Sequence, residues 1–169
     1  MGTQSKNCTA ERGVSLVEVM VGVVIFMVTF TMIVSSVVSA GNSSRRAEMR
    51  AIAVEAALSK ADEIRTTPLE QLCSTYGPTG TKGDTFKIEG ADGDAATGKI
   101  RVIVDETLTD AQIGAEFGMP RDLDGDNLAT NTNVATTALA LPVLVEVTWA
   151  YPNEKAEVYK VPVVVLRTD

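Results

Sequence analysis

The chain has 169 residues, a formal net charge of −7 and no histidine. That length holds one ordinary domain plus one extended element, and the acidic balance offers no basic stripe to displace counterions, so nucleic acid is not an expected partner. With histidine absent, the commonest general base and metal ligand are missing, which weighs against hydrolase or zinc chemistry.

Residues 1–13 are polar and contain Lys6, Glu11 and Arg12, and the apolar run begins only after Gly13. An ordinary signal peptide would carry its apolar stretch inside such a leader. The segment from Gly13 to Ala40 then contains one ionisable residue, Glu18, near its start. An acid at the bilayer centre costs about 2.5 to 3.5 kcal/mol, so Glu18 calls for a reason. From Val19 to Ala40 there are 22 residues without a charge, which at about 1.5 Å per residue span roughly 33 Å, enough for the hydrocarbon core. Gly22, Thr29, Thr31, Ser35, Ser36 and Ser39 are small enough to allow close helix contact.

A polar leader ending in Gly13, followed by Val14-Ser15-Leu16-Val17-Glu18 and a long apolar run, resembles the processing site of type IV pilins and pseudopilins. The family usually begins with phenylalanine where this chain has Val14. The resemblance implies a 1–13 leader cut by a prepilin peptidase after Gly13 and N-methylation of Val14. It implies that Glu18 pairs with the Val14 amino group of a neighbouring subunit during filament assembly. A chain starting at Val14 carries a net −8, since Lys6 and Arg12 outnumber Glu11 in the leader.

Beyond Gly41 and Asn42, the residues Ala47, Ala51, Val54, Leu58, Ala61 and Ile64 recur at spacings of three and four between charged neighbours, which predicts an amphipathic helix. One long helix from about Ser15 to Arg65, with a bend near Gly41, is the expectation; two helices separated at Gly41-Asn42 are the alternative. Pro68 ends it. A loop follows, then a glycine-rich stretch from Gly77 to Gly98 with a short strand at Thr85 to Glu89. Lys99 to Glu106 alternates as a strand, with Ile100, Val102 and Val104 on one face. Thr109 to Phe117 suits a helical turn or two, and Asn127 to Thr137 reads as an exposed excursion. Pro142–Tyr151 and Ala156–Thr168 form a hairpin around Pro152-Asn153-Glu154-Lys155, and Pro162 marks an edge strand or a bulge. The fold class expected is α+β and pilin-like. A long N-terminal helix, whose first half (14–40) is transmembrane and whose second (41–66) is amphipathic, packs on an antiparallel sheet of about four strands within a globular domain over 67–169.

One further cluster carries chemistry. Asp122, Asp124 and Asp126 alternate around Gly125, and such carboxylates can converge on calcium. The EF-hand spacing is not met, because Gly125 is fourth from Asp122 and Asn133 holds the twelfth position, so a solvated acidic turn is the competing reading. Asp92-Gly93-Asp94 reads as a turn. Of the two cysteines, Cys8 lies in the leader and leaves Cys73 alone, as a small buried hydrophobe or an intermolecular thiol. No nucleophile constellation, phosphate loop or paired-cysteine metal signature is present, and an enzyme is not expected.

The resemblance thus implies a structural subunit of a type IV pilus, a minor pilin of the pilus-modification kind. It would be stored as a single-pass inner-membrane protein and assembled with other pilin subunits at the periplasmic or cell-surface side. A pseudopilin of a type II secretion system is the near alternative. A solitary membrane-anchored binding module, and a secreted protein cut after Ala40, are the others.

Overall fold

The computed structural model describes residues 15–90, 96–151 and 155–167. Gly13, Val14 and the Asp92-Gly93-Asp94 turn lie outside them, as do Pro152, Asn153 and Glu154 of the hairpin turn. The fold is α+β. Helix α1 runs over Leu16–Thr66 and α2 over Leu69–Tyr76; strands β1 (Thr85–Lys87) and β2 (Ala96–Val102) precede a single turn, α3 (Asp110–Ile113), and the chain ends in β3 (Ala140–Trp149) and β4 (Glu157–Leu166). The strands form one antiparallel sheet in the order β1-β2-β3-β4.

Two compact units divide the chain, residues 1–46 and 47–169. In the first, α1 is apolar and every described residue is exposed. Helical hydrogen bonding continues through Gly41 and Asn42, so the two-helix alternative is not adopted. The β-branched residues of α1, poor helix formers in water, do not interrupt the helix.

The second unit is built around the sheet. Side chains two apart share a face, and the register places Ala96, Gly98 and Ile100 beside Val143, Val145, Val147 and Trp149, with Val161 and Val163 beyond. All of these are buried. Phe86 lies opposite Gly98, and its ring fills the space a Cβ there would need. Lys60 Nζ of α1 stands 5.4 Å from the centroid of that ring, which puts α1 on this face. Residues 47–66 seat on it through Ala53, Ala57, Ala61 and Ile64, which are buried. This corrects part of the expected stripe: Ala61 and Ile64 are buried as predicted, but Ala47, Ala51 and Leu58 are exposed and Val54 is half-buried. A face already crowded with valines and Trp149 admits a helix closely only where its side chains stop at Cβ, so the alanines at 53, 57 and 61 displace Leu58 from the seam.

The stretch after Pro68 is also corrected. Leu69–Tyr76 is a helix rather than a loop, and its Leu69, Leu72 and Tyr76 are buried. The opposite face of the sheet is covered by the segment around α3, since Arg101 donates to the Ile113 carbonyl (3.3 Å) and Lys160 to that of Gly114 (2.9 Å). Two cations from β2 and β4 thereby satisfy the carbonyl end of α3. Gly114 itself has φ +78°, a left-handed helix end. β2 starts earlier and ends earlier than expected, at Val102, and beyond it Ile103, whose N–H donates to the Pro142 carbonyl at 2.9 Å, is buried as well. The 127–137 excursion is anchored, with Val134 buried and its N–H bonded to the Val104 carbonyl at 2.9 Å. Pro162 stands opposite Leu144 on the edge strand β4, where its missing N–H is harmless on the outward side.

Candidate functional site

In the first unit the site is the start of α1. The Ser15 carbonyl accepts the Val19 N–H at 3.2 Å, which opens the helix, and Glu18 falls in the first turn. A carboxylate there is favoured by the unpaired N–H groups of a helix start, so this position gives the acid a local stabilisation independent of any partner. Behind it the apolar residues face outward all round: Phe26 is 66% exposed, Met32 65% and Val37 67%. A helix apolar on every side finds its medium in lipid or among other helices. The hydroxyls do not interrupt this surface. Thr29 donates to the Phe26 and Ile25 carbonyls (2.9 and 3.0 Å), Thr31 to Val28 (2.8 Å) and Ser35 to Met32 (2.8 Å), so each is satisfied inside its own helix. By length and composition α1 is long and apolar enough to cross a membrane.

In the second unit the acidic loop is organised by a residue that the sequence did not single out. Glu106 is fully buried. Its Oε1 accepts the N–H of Leu123 (2.6 Å) and Asp124 (3.3 Å), its Oε2 accepts the N–H of Asn131 (3.3 Å), and its own N–H donates to the Asn131 carbonyl at 3.0 Å. A buried carboxylate is tolerated when backbone donors replace its hydration. Around this anchor, Asp122 closes a tight turn by accepting from Gly125 (2.6 Å), Asn127 (2.8 Å) and Asp124 (3.2 Å), and these bonds, the one from Gly125 foremost, hold its carboxyl below the usual range. The turn favours Gly125 for its φ of +86°, a left-handed conformation that side chains rarely adopt.

Carboxylate oxygens of Glu106, Asp122 and Asp124 lie within 4.8 Å of one another. Two oxygens on one calcium are at most about 5 Å apart, so these three fit a hard cation. Asp126 is not in that group, although its Oδ2 shares the Asn131 Nδ2 donor with the Asp124 Oδ2, each at 3.1 Å. The structure therefore brings together two of the three aspartates picked out by spacing and adds Glu106.

Cys73 is a free thiol, half-buried. It lines a cavity of about 490 Å³ with Tyr76, Val102, Val104, Leu108 and Asn133. Burial pushes its pKa up, so at neutral pH it is a protonated apolar wall rather than a nucleophile.

Compared with known proteins, the chain matches no family model, no curated protein and no solved structure.

Proposed function

We propose that the chain is a structural subunit of a pilin-like filament, a minor subunit of a type IV pilus, cut after Gly13 and assembled through the apolar half of α1. The observation that carries this reading is an unbroken helix, exposed and apolar over Leu16–Ala40 with one acid in its first turn, in a chain whose remainder is a four-stranded α+β domain. Such a surface cannot remain in water, and it supplies both a membrane anchor before assembly and a packing surface within a filament. Once assembled, Glu18 would meet the Val14 amino group of a neighbour, a charge pair made strong by the apolar helices packed around it in the filament. The same parts serve a pseudopilin of a type II secretion system, and genomic neighbourhood distinguishes the two machines. The cavity beside Cys73 supports a second reading, a solitary membrane-anchored module that binds a small ligand.

Amino-terminal sequencing separates these readings. A mature chain that starts at Val14 with a methylated amine is the expected result; a chain that keeps Met1 is a plain anchor, and one that starts at Gly41 is a secreted protein. The variant Glu18→Val should be processed normally and be absent from purified filaments, and its normal incorporation would sink the pairing mechanism. Calcium belongs to the same reading, at Glu106, Asp122 and Asp124. Millimolar calcium should raise the Tm of the protein, and an unchanged Tm argues against the site.

A further inference from the structure

We propose that Arg45 and Arg46 bind the phosphates of anionic phospholipids where α1 leaves the membrane. The inference rests on the reading of Leu16–Ala40 as a membrane span and adds the lipid class selected at its far end. No ionisable residue stands between Glu18 and Arg45. The 27 helical steps between them make about 40 Å, whereas the hydrocarbon core is about 30 Å thick and the bilayer with its headgroups about 40 to 45 Å. With Glu18 in one headgroup layer, Arg45 and Arg46 therefore reach the other, and no charge has to enter hydrocarbon.

Both arginines lie on the exposed surface of α1. Being consecutive, they point about 100° apart around the helix and address different lipids. A guanidinium fork matches two phosphate oxygens at once, so arginine is the better choice over lysine for this ligand. The charge of the chain confines attraction to an anionic surface to this end of the span. Beyond Arg46 there are 11 basic and 20 acidic residues, so an anionic leaflet repels the rest of the protein while attracting this one step of α1. A free phosphate would satisfy the guanidinium but would not use the apolar turns that precede it; a phospholipid uses both.

The test takes the full chain in nanodiscs that mix phosphatidylcholine with a minority of phosphatidylglycerol, followed by native mass spectrometry of the lipids that stay bound, beside the double variant R45Q/R46Q. The wild-type chain should retain phosphatidylglycerol about fivefold more than the variant, and millimolar inorganic phosphate should not displace it. Equal retention by the two proteins, equal retention of phosphatidylcholine, or displacement by free phosphate overturns the proposal. Alkaline carbonate extraction of the same samples keeps the two readings apart. Chains that stay in the membrane but hold no anionic lipid defeat the lipid inference alone, and chains that are extracted defeat the span and the lipid inference together.

Discussion

The two stretches of α1 obey opposite rules. From Leu16 to Arg46 every residue is exposed, and large apolar side chains such as Leu16, Phe26 and Phe30 face outward. From Ala47 to Thr66 the large apolar residue Leu58 is exposed while Ala53, Ala57 and Ala61 are wholly covered. One stretch is shaped for a medium outside the chain and is indifferent to the detail of its side chains; the other is shaped for one particular sheet and is fully closed over Ala53, Ala57, Ala61 and Ile64. A continuous helix can therefore carry two selection rules, because helicity is set by the backbone and burial by whatever lies against each face.

The largest effect that sharpens this contrast is expected in the second unit, at Glu106. Glu106→Ala removes the acceptor of three backbone N–H groups, on Leu123, Asp124 and Asn131, and should cost about 3 kcal/mol, since each buried donor left without a partner costs about 1 to 3 kcal/mol. Urea denaturation measures the loss, and amide exchange should accelerate at those three positions before it does so in β3. Retention of wild-type exchange at Leu123 would show that the loop is held by other means.

The next effect breaks the comparison directly. Ala57→Leu forces a bulky side chain into the closed seam between α1 and the sheet and should destabilise the second unit by about 1 to 3 kcal/mol, whereas Ala40→Leu, at an exposed position of the apolar stretch, should leave its stability within about 0.5 kcal/mol. Equal losses from both substitutions would mean that the two stretches of the helix are not governed by different surroundings.

The same contrast explains what the sequence made legible. The apolar run after Gly13 and the alternation through Val143, Val145 and Val147 are periodic over many residues, so α1, β3 and β4 were readable, while Pro162 pointed to an edge strand or a bulge and stands on the edge strand. The stripe of α1 was placed correctly at Ala61 and Ile64 but misplaced before them, because two apolar lines at helical spacing lead into Ala61, one through Ala51, Val54 and Leu58 and one through Ala53 and Ala57. Hydrophobicity favours the first, and only the closeness of the sheet favours the second. Helix α2 had a visible signal, Leu69, Leu72 and Tyr76 at helical spacing, obscured by Pro68, which ends one helix and stands immediately before the next. Glu106 gave no local signal at all. Its partners at Leu123 and Asn131 stand 17 and 25 residues away, and a lone glutamate after a strand resembles any solvated one. The aspartate loop was legible as a turn because its bonds are local; its link to Glu106 was not.

The smallest effect expected is a pH-dependent one at Glu63, in the stretch of α1 that meets the sheet. Its carboxylate pairs with Lys60 on the same helix and with Lys82 beyond α2, and it accepts from the Tyr76 hydroxyl at 3.0 Å. The bond from Lys60, followed by those from Lys82 and Tyr76, outweighs burial and lowers the Glu63 pKa from 4.5 to about 2. A carboxylate whose pKa is lower in the folded state binds fewer protons there than in the unfolded chain. Its contribution is therefore complete above about pH 4.5 and disappears as the pH falls towards 2. Because the carboxylate is 34% exposed, solvent screening reduces that contribution to about 1 kcal/mol. Glu63→Gln should accordingly be less stable than the wild-type chain by that amount at pH 7 and indistinguishable from it near pH 2, in paired urea titrations across the range. A difference that persists unchanged at pH 2 would assign the effect of the substitution to packing rather than to charge. It would leave the grip of α1 on its sheet to Ala53, Ala57, Ala61 and Ile64, with no electrostatic share.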